Sequence, residues 1–282
     1  MPAVSLASAI VASAVPADGE VLVASGEFRS VLYPFLVAET RRLLRVREVS
    51  PDGLLNALSE RTALVALSHV RSADGHVADL DAVVRRAHAA GALVYVDATH
   101  SVGTLPFDAK RSGVDFMSCA GYKWLCCPRG VAFLWCRREL QQRMSPVAAG
   151  WRASVDHRIG GYYGGPLDLA EGAARFDVSL AWHAWVGAAE SLKAITMIDE
   201  EERFHRGYQL ARTLANDLEL PEPRSAIVSV PVASRESARA RLKEAKVKVT
   251  EQRDRVRVSP HFYNTEKDIE RAVIALSTLV AR

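Results

Sequence analysis

Three features of this 282-residue sequence predict an α/β fold: a mainly parallel sheet sandwiched by helices, with a small α+β domain at the C-terminal end. Short apolar runs bounded by turn residues recur through the first half, at Val21 to Ala24, Thr62 to His69, Ala92 to Val96, Val114 to Cys119 and Val131 to Cys136. Runs of this kind read as buried strands. Between them lie stretches with helical spacing, clearest from Asp79 to Ala90, and such alternation builds layered α/β sheets. Chemically capable residues also stand where the runs stop. Asp97 ends one run and Gly121-Tyr122-Lys123 follows another. Open α/β sheets bind ligands at strand exits, so Asp97 and Lys123 are candidates for one pocket.

Length and composition set the frame. The chain suits a large domain over residues 1–198 followed by a smaller one over 199–282. A hydrophobic content of 49% and a charged content of 24% are ordinary for a globular enzyme. The net charge is only +3, and no basic run is interleaved with aromatics, so neither nucleic acid nor a membrane surface is implied as partner. No apolar run is long enough to span a membrane. Cys119, Cys126, Cys127 and Cys136 cluster in the central stretch, which predicts reduced thiols in a cytoplasmic protein rather than a disulfide framework. Cys126 and Cys127 lack the spacing of a zinc site, and no metal is expected.

Taken in order, residues 1–17 carry small apolar residues like a signal peptide but lack its basic start. The favoured reading is a strand-to-helix turn at Pro2 to Ser5, with Ser5 near a helix N-terminus whose free N–H groups suit a phosphate. Phe28 follows the first strand, and spacing alone leaves it as a core phenylalanine or a ring-stacking one. Arg42 to Val49 reads as a strand and Asp52 to Glu60 as a helix. Beyond Val131 to Cys136, residues 145–174 are rich in glycine and aromatics. Ala184 to Ile198 and Asp199 to Leu220 read as helices. Ala226 to Val232 and Val247 to Thr250 read as strands on either side of another helix. Arg255 and Arg257 share one face of a further strand by alternation. Thr265 is placed to cap the final helix.

The motifs Val-Asp-Ala-Thr-His-Ser-Val-Gly from Val96, Gly-Val-Asp-Phe from Gly113, Gly-Tyr-Lys-Trp-Leu from Gly121 and Pro128-Arg129-Gly130 resemble the class V aminotransferases, a group that includes cysteine desulfurases and isopenicillin N epimerase-like proteins. Arg257-Val258-Ser259-Pro260-His261-Phe262-Tyr263-Asn264-Thr265 is a second such signature. These are pyridoxal 5'-phosphate (PLP) enzymes of fold type I. The resemblance therefore implies a seven-stranded, mainly parallel sheet and a homodimer. It implies that Lys123 forms the Schiff base with PLP and that Asp97 pairs with the protonated ring nitrogen, which PLP needs as an electron sink. It further implies that Phe28 stacks on the ring, His100 contacts the 3'-oxygen, Ser5 and Tyr122 hold the phosphate, and Arg257 clamps a substrate carboxylate. Ser72 stands where desulfurases place an asparagine that bonds the 3'-oxygen, and serine retains a donor there.

The sequence also departs from the pattern. Ala120 replaces a phosphate-binding serine, and Ser179-Leu180-Ala181 replaces a Gly-Thr-Pro loop that reaches the other subunit in the family. Several dozen residues that precede the phosphate loop in the family are not found ahead of Pro2; a misplaced start, a fragment and a natural short form all remain open. No cysteine follows Cys136, so persulfide-forming desulfuration is not expected. The implied activity is amino-group transfer on an amino acid. Epimerisation or C–S/C–C lysis is the alternative within the family, and a truncated, non-catalytic partner subunit is the alternative outside catalysis.

Overall fold

A computed structural model describes residues 1–281, which form two compact units. The first comprises Met1–His69, Asp79–Thr99 and Phe107–Lys193; the second comprises Val70–Ala78, His100–Pro106 and Ala194–Arg282.

The first unit contains α1 (Val4–Ala12), β1 (Glu20–Ala24), α2 (Arg29–Thr40), β2 (Arg45–Val49), the short α3 (Leu54–Ala57), β3 (Thr62–Ser68), α4 (Leu80–Ala89), β4 (Leu93–Asp97), β5 (Phe116–Ala120) and β6 (Ala132–Cys136). α5 (Trp182–Thr196) follows a run of 3₁₀ turns. The strands form one sheet in the order β2-β1-β3-β4-β5-β6. All neighbours are parallel except β5 and β6. Parallel strands need a long crossover, usually helical. The link from β5 to β6 is a turn-rich loop without a helix, so β6 comes back antiparallel. Val21 to Val23 of β1 and Val94 to Val96 of β4 are fully buried, as expected of strands covered on both faces. β2 is the charged edge, with Arg45, Arg47 and Glu48 exposed, a composition that discourages pairing with another sheet.

The fold class stands as the sequence predicts, with six strands in the main sheet where the resemblance implies seven. The glycine-rich stretch beyond β6 folds into 3₁₀ turns and contributes no strand among the described residues. The helix expected over 52–60 shrinks to a 3₁₀ turn at Pro51–Gly53 and the four residues of α3. α2 has no counterpart in the sequence reading, because Pro34 sits inside it and proline normally breaks helices. Burial of Val31, Leu32, Phe35 and Ala38 along one face outweighs that local cost. α4 forms where the sequence places a helix, and the Asp79 carboxylate accepts from Ala82 N and caps it.

The second unit holds α6 (Glu200–Asp217), β7 (Val228–Pro231), α7 (Arg235–Glu244), β8 (Thr250–Glu251), β9 (Arg255–Val258) and α8 (Glu266–Leu276). β9 lies between β7 and β8 in an antiparallel sheet. Leu210, Leu214, Val230, Val256, Ile269 and Leu276 form the core between this sheet and its helices. α8 opens with a capping box, Thr265 and Asp268 each bonding the other's backbone.

The segment Val70–Ala78 joins this unit through Gly75, whose carbonyl accepts from Ser225 Oγ at 2.9 Å. Gly75 has φ +76°, and a Cβ there would stand 2.3 Å from Ile227 O and 2.8 Å from Ser225 Oγ. Both the left-handed backbone and the contact exclude a side chain. Gly75→Ala is expected to destabilise the protein by about 2 kcal/mol or more. A urea melt reads this directly, and an unchanged midpoint would contradict the packing described.

Candidate active site

Asp97 is the last residue of β4 and is 5% exposed. Its Oδ1 accepts from Thr99 N at 3.0 Å and from Thr99 Oγ1 at 2.5 Å. Thr99 Oγ1 in turn accepts from Ala120 N, the end of β5, at 3.0 Å. One threonine thus ties the exit of β4 to the exit of β5. Burial pushes the Asp97 carboxyl up to about 7, opposed by the Thr99 bonds and reinforced by the like charge of Glu27. A carboxylate so placed favours any positively charged donor that reaches it.

The loop leaving β5 carries Tyr122 and Lys123, both half-buried. Lys110 and Lys193, the other lysines of the first unit, are exposed. The Tyr122 ring packs against the cluster that contains Val4, Ala120 and Ala132, with the Arg129 guanidinium 4.5 Å and Lys123 Nζ 5.4 Å from its centroid. Both cationic groups lie within cation–π reach of that ring. Ser5 is exposed in the first turn of α1, where free backbone N–H groups point outward. Tyr95, fully buried on β4, holds this helix in place: its hydroxyl bonds Ser8 Oγ of α1 and Ser118 Oγ of β5, each at 2.7 Å. Asp115 ties β4 to α4, accepting from Val94 N at 2.8 Å and lying 2.9 Å from His88 Nε2.

At the exit of β1, Phe28 is 48% exposed at the N-cap of α2. The ring is therefore presented to ligand or solvent rather than packed in the core. Beside it Glu27 is buried, a residue the sequence reading passed over. A carboxylate flanked by glycine and phenylalanine looks solvated in sequence, and only its long-range partner Ser68 reveals otherwise. Burial lowers the His69 imidazole to about 4, so it is neutral near pH 7, and its Nδ1 has no hydrogen-bond partner.

The second unit carries the remaining expected residues. Arg257, on the central strand β9, donates Nη1 to Ser72 O at 2.8 Å and to Ser72 Oγ at 2.6 Å, and Nη2 to Thr250 Oγ1 at 3.0 Å. Its Nε is buried without a partner. Arg257 and Ser72, far apart in sequence, are thus brought into direct contact. Because β9 lies between β7 and β8, Arg257 is not on an edge strand of that sheet. His100 is buried in a turn.

The sequence profile described as aminotransferase class-V matches residues 3–240. The chain belongs to that family. It is 29% identical over 247 residues to the uncharacterized aminotransferase YcbU of Bacillus subtilis (strain 168), across 82% of this chain and 65% of YcbU. It is 36% identical over 140 residues to a probable cysteine desulfurase of Aeropyrum pernix, across 47% of this chain and 34% of that protein. These matches span just under two thirds, or about one third, of the relatives' own lengths. Among solved structures, the cystine C-S lyase C-DES in complex with cysteine persulfide superposes with a TM-score of 0.86 at 24% identity, covering 99% of this chain and 80% of that one. That likeness establishes the shared fold.

Class V aminotransferases use PLP, and the residues here fit that group. The buried Asp97 matches a protonated ring nitrogen. Phe28 offers an exposed aromatic ring, Lys123 an amine, and Tyr122 a phenol whose ring lies against the Arg129 guanidinium. The unpartnered Nε of Arg257 is a donor suited to a carboxylate. Among the described residues, no helix is long and apolar enough to cross a membrane.

Proposed function

We propose that this chain is a PLP-dependent aminotransferase acting on an amino acid, with residues 1–198 as its cofactor-binding part and 199–282 as a smaller C-terminal part. The observation that carries the reading is the linkage from Ala120, three residues ahead of Lys123, through Thr99 to the buried Asp97.

In this reading Lys123 Nζ would hold PLP, and the same amine would take the proton from the amino acid's Cα. Bound PLP supplies the electron sink for the charge left at that carbon. Asp97 keeps the ring nitrogen protonated. Phe28 holds the ring flat, and His100 and Ser72 approach its 3'-oxygen. Ser5 and Tyr122 hold the phosphate. Arg257 binds the substrate carboxylate, supported by its spare buried donor and by Ser72, which braces two of its bonds. The absence of cysteine beyond Cys136 disfavours persulfide chemistry on the chain itself. The protein is further read as cytoplasmic, supported by four free cysteines. It is read as a homodimer, supported by the exposed Trp182 and Val186 of α5.

Adding PLP to the purified protein is expected to produce an absorption band near ~420 nm. Supplying single amino acids with an acceptor 2-oxo acid should then convert the amino acid to its own 2-oxo acid in equal amount. Release of sulfide or pyruvate without an acceptor would turn the reading to a lyase. A wild-type protein that shows no band would overturn it.

A further inference from the structure

β1, β3 and β4 are neighbours in the sheet, and their exits carry Glu27, Ser68 and Asp97 side by side. Ser68 is the register partner of Asp97. Glu27 bridges from the first exit to the second. Its Oε1 accepts from Phe28 N at 2.6 Å and from Ser68 Oγ at 2.5 Å, and its Oε2 accepts from Ser68 N at 2.7 Å. The side chain is buried, and among the described residues no Lys, Arg or His lies within ion-pair distance of it. A buried carboxylate without a cation is costly, and here three donors from two separate strand exits offset that cost.

A purely structural carboxylate needs no such address. This one joins the backbone of the residue that presents an exposed ring to the strand end that faces Asp97. We infer that Glu27 is a positioning residue for the PLP ring, locking Phe28 in register with Asp97 by clamping Phe28 N to Ser68. The inference rests on the PLP reading above. Glu27 also adds like charge near Asp97, secondary to burial, so the two carboxylates are electrostatically as well as mechanically coupled. Glutamine cannot replace it. An amide has the same shape but turns an NH2 group toward Ser68 N or toward Phe28 N, setting two donors face to face.

The test is a PLP titration of wild type, Glu27→Gln, Phe28→Ala and the double variant, read by absorbance and by the circular dichroism of bound PLP at saturation. Glu27→Gln is expected to weaken PLP binding about ten- to hundredfold, the effect of one or two unsatisfied buried donors. Its visible circular dichroism at saturating PLP should differ from wild type, which a loss of global stability alone would not cause. In the Phe28→Ala background the same change should cost markedly less, because the ring it positions is gone. Should Glu27→Gln fail to fold, Ser68→Ala removes one of the three donors and is expected to show a smaller loss with the same non-additivity. Additive losses, or unchanged affinity and dichroism, would overturn the inference while leaving the PLP reading intact. Absence of PLP binding by the wild type would instead overturn the reading beneath it.

Discussion

Lys123→Ala is expected to abolish the ~420 nm band on PLP addition and to lower turnover by at least the ~10²–10⁴-fold typical of a lost general base. Both effects have one cause, since a single amine is proposed to hold the cofactor and to move the Cα proton. The fold should survive. Lys123 lies half-buried in the loop after β5, outside the sheet core, and alanine adds no volume. Thermal melts of the protein without PLP should therefore nearly coincide for wild type and variant, while single-turnover assays diverge. Retention of the band by Lys123→Ala would move the cofactor link to another lysine. Lys110 and Lys193 of the first unit are both exposed, which makes either a poor substitute.

Asp97→Asn is expected to have opposite effects on stability and on function. Burial is the main cause that pushes the folded-state carboxyl up to about 7, well above the usual carboxylate range. Because the folded pKa is raised, the native state holds a proton that the unfolded chain has already released between about pH 4 and 7. Stability of the PLP-free protein therefore falls as pH rises through that window, and the full penalty is felt above it. Asparagine is uncharged, and its Oδ1 still accepts from Thr99 N and Oγ1. At pH 8 the variant should thus be more stable than wild type by ~2–4 kcal/mol, and the two should converge near pH 4. Turnover should nonetheless collapse, since an amide cannot hold a protonated ring nitrogen by charge. Denaturant melts across pH, paired with kcat, provide the check. A variant less stable than wild type at pH 8 would show that Asp97 is held by stabilising charge rather than strained by burial.

The two changes probe different sides of one design. Asp97 lies in the sheet at the end of β4, where its charge destabilises the cofactor-free chain. Lys123 lies in a loop outside the sheet, where its removal is expected to leave the core packing intact. On the proposed reading, such a site would trade stability without cofactor for chemistry with it.

The strand expected over 247–250 shrinks to Thr250–Glu251, but the sequence by itself determined most of the strand runs, the helix α4, Thr265 as the cap of α8 and the residues proposed for chemistry. These are local signals: apolar runs bounded by turns, side chains spaced to bond nearby N–H groups, and motifs contiguous along the chain. Tertiary structure alone decided the rest. α2 exists despite Pro34 because four apolar residues bury one face of it. The direction of β6 follows from a connection without a helix. Tyr95 became the anchor of α1 only through Ser8 and Ser118, 87 and 23 residues away. Glu27 and Arg257 acquired partners 41 and 185 residues away. A polar side chain is committed by whichever donor or acceptor the fold brings to it. Burial removes water as the alternative partner, and composition and spacing carry no record of that choice.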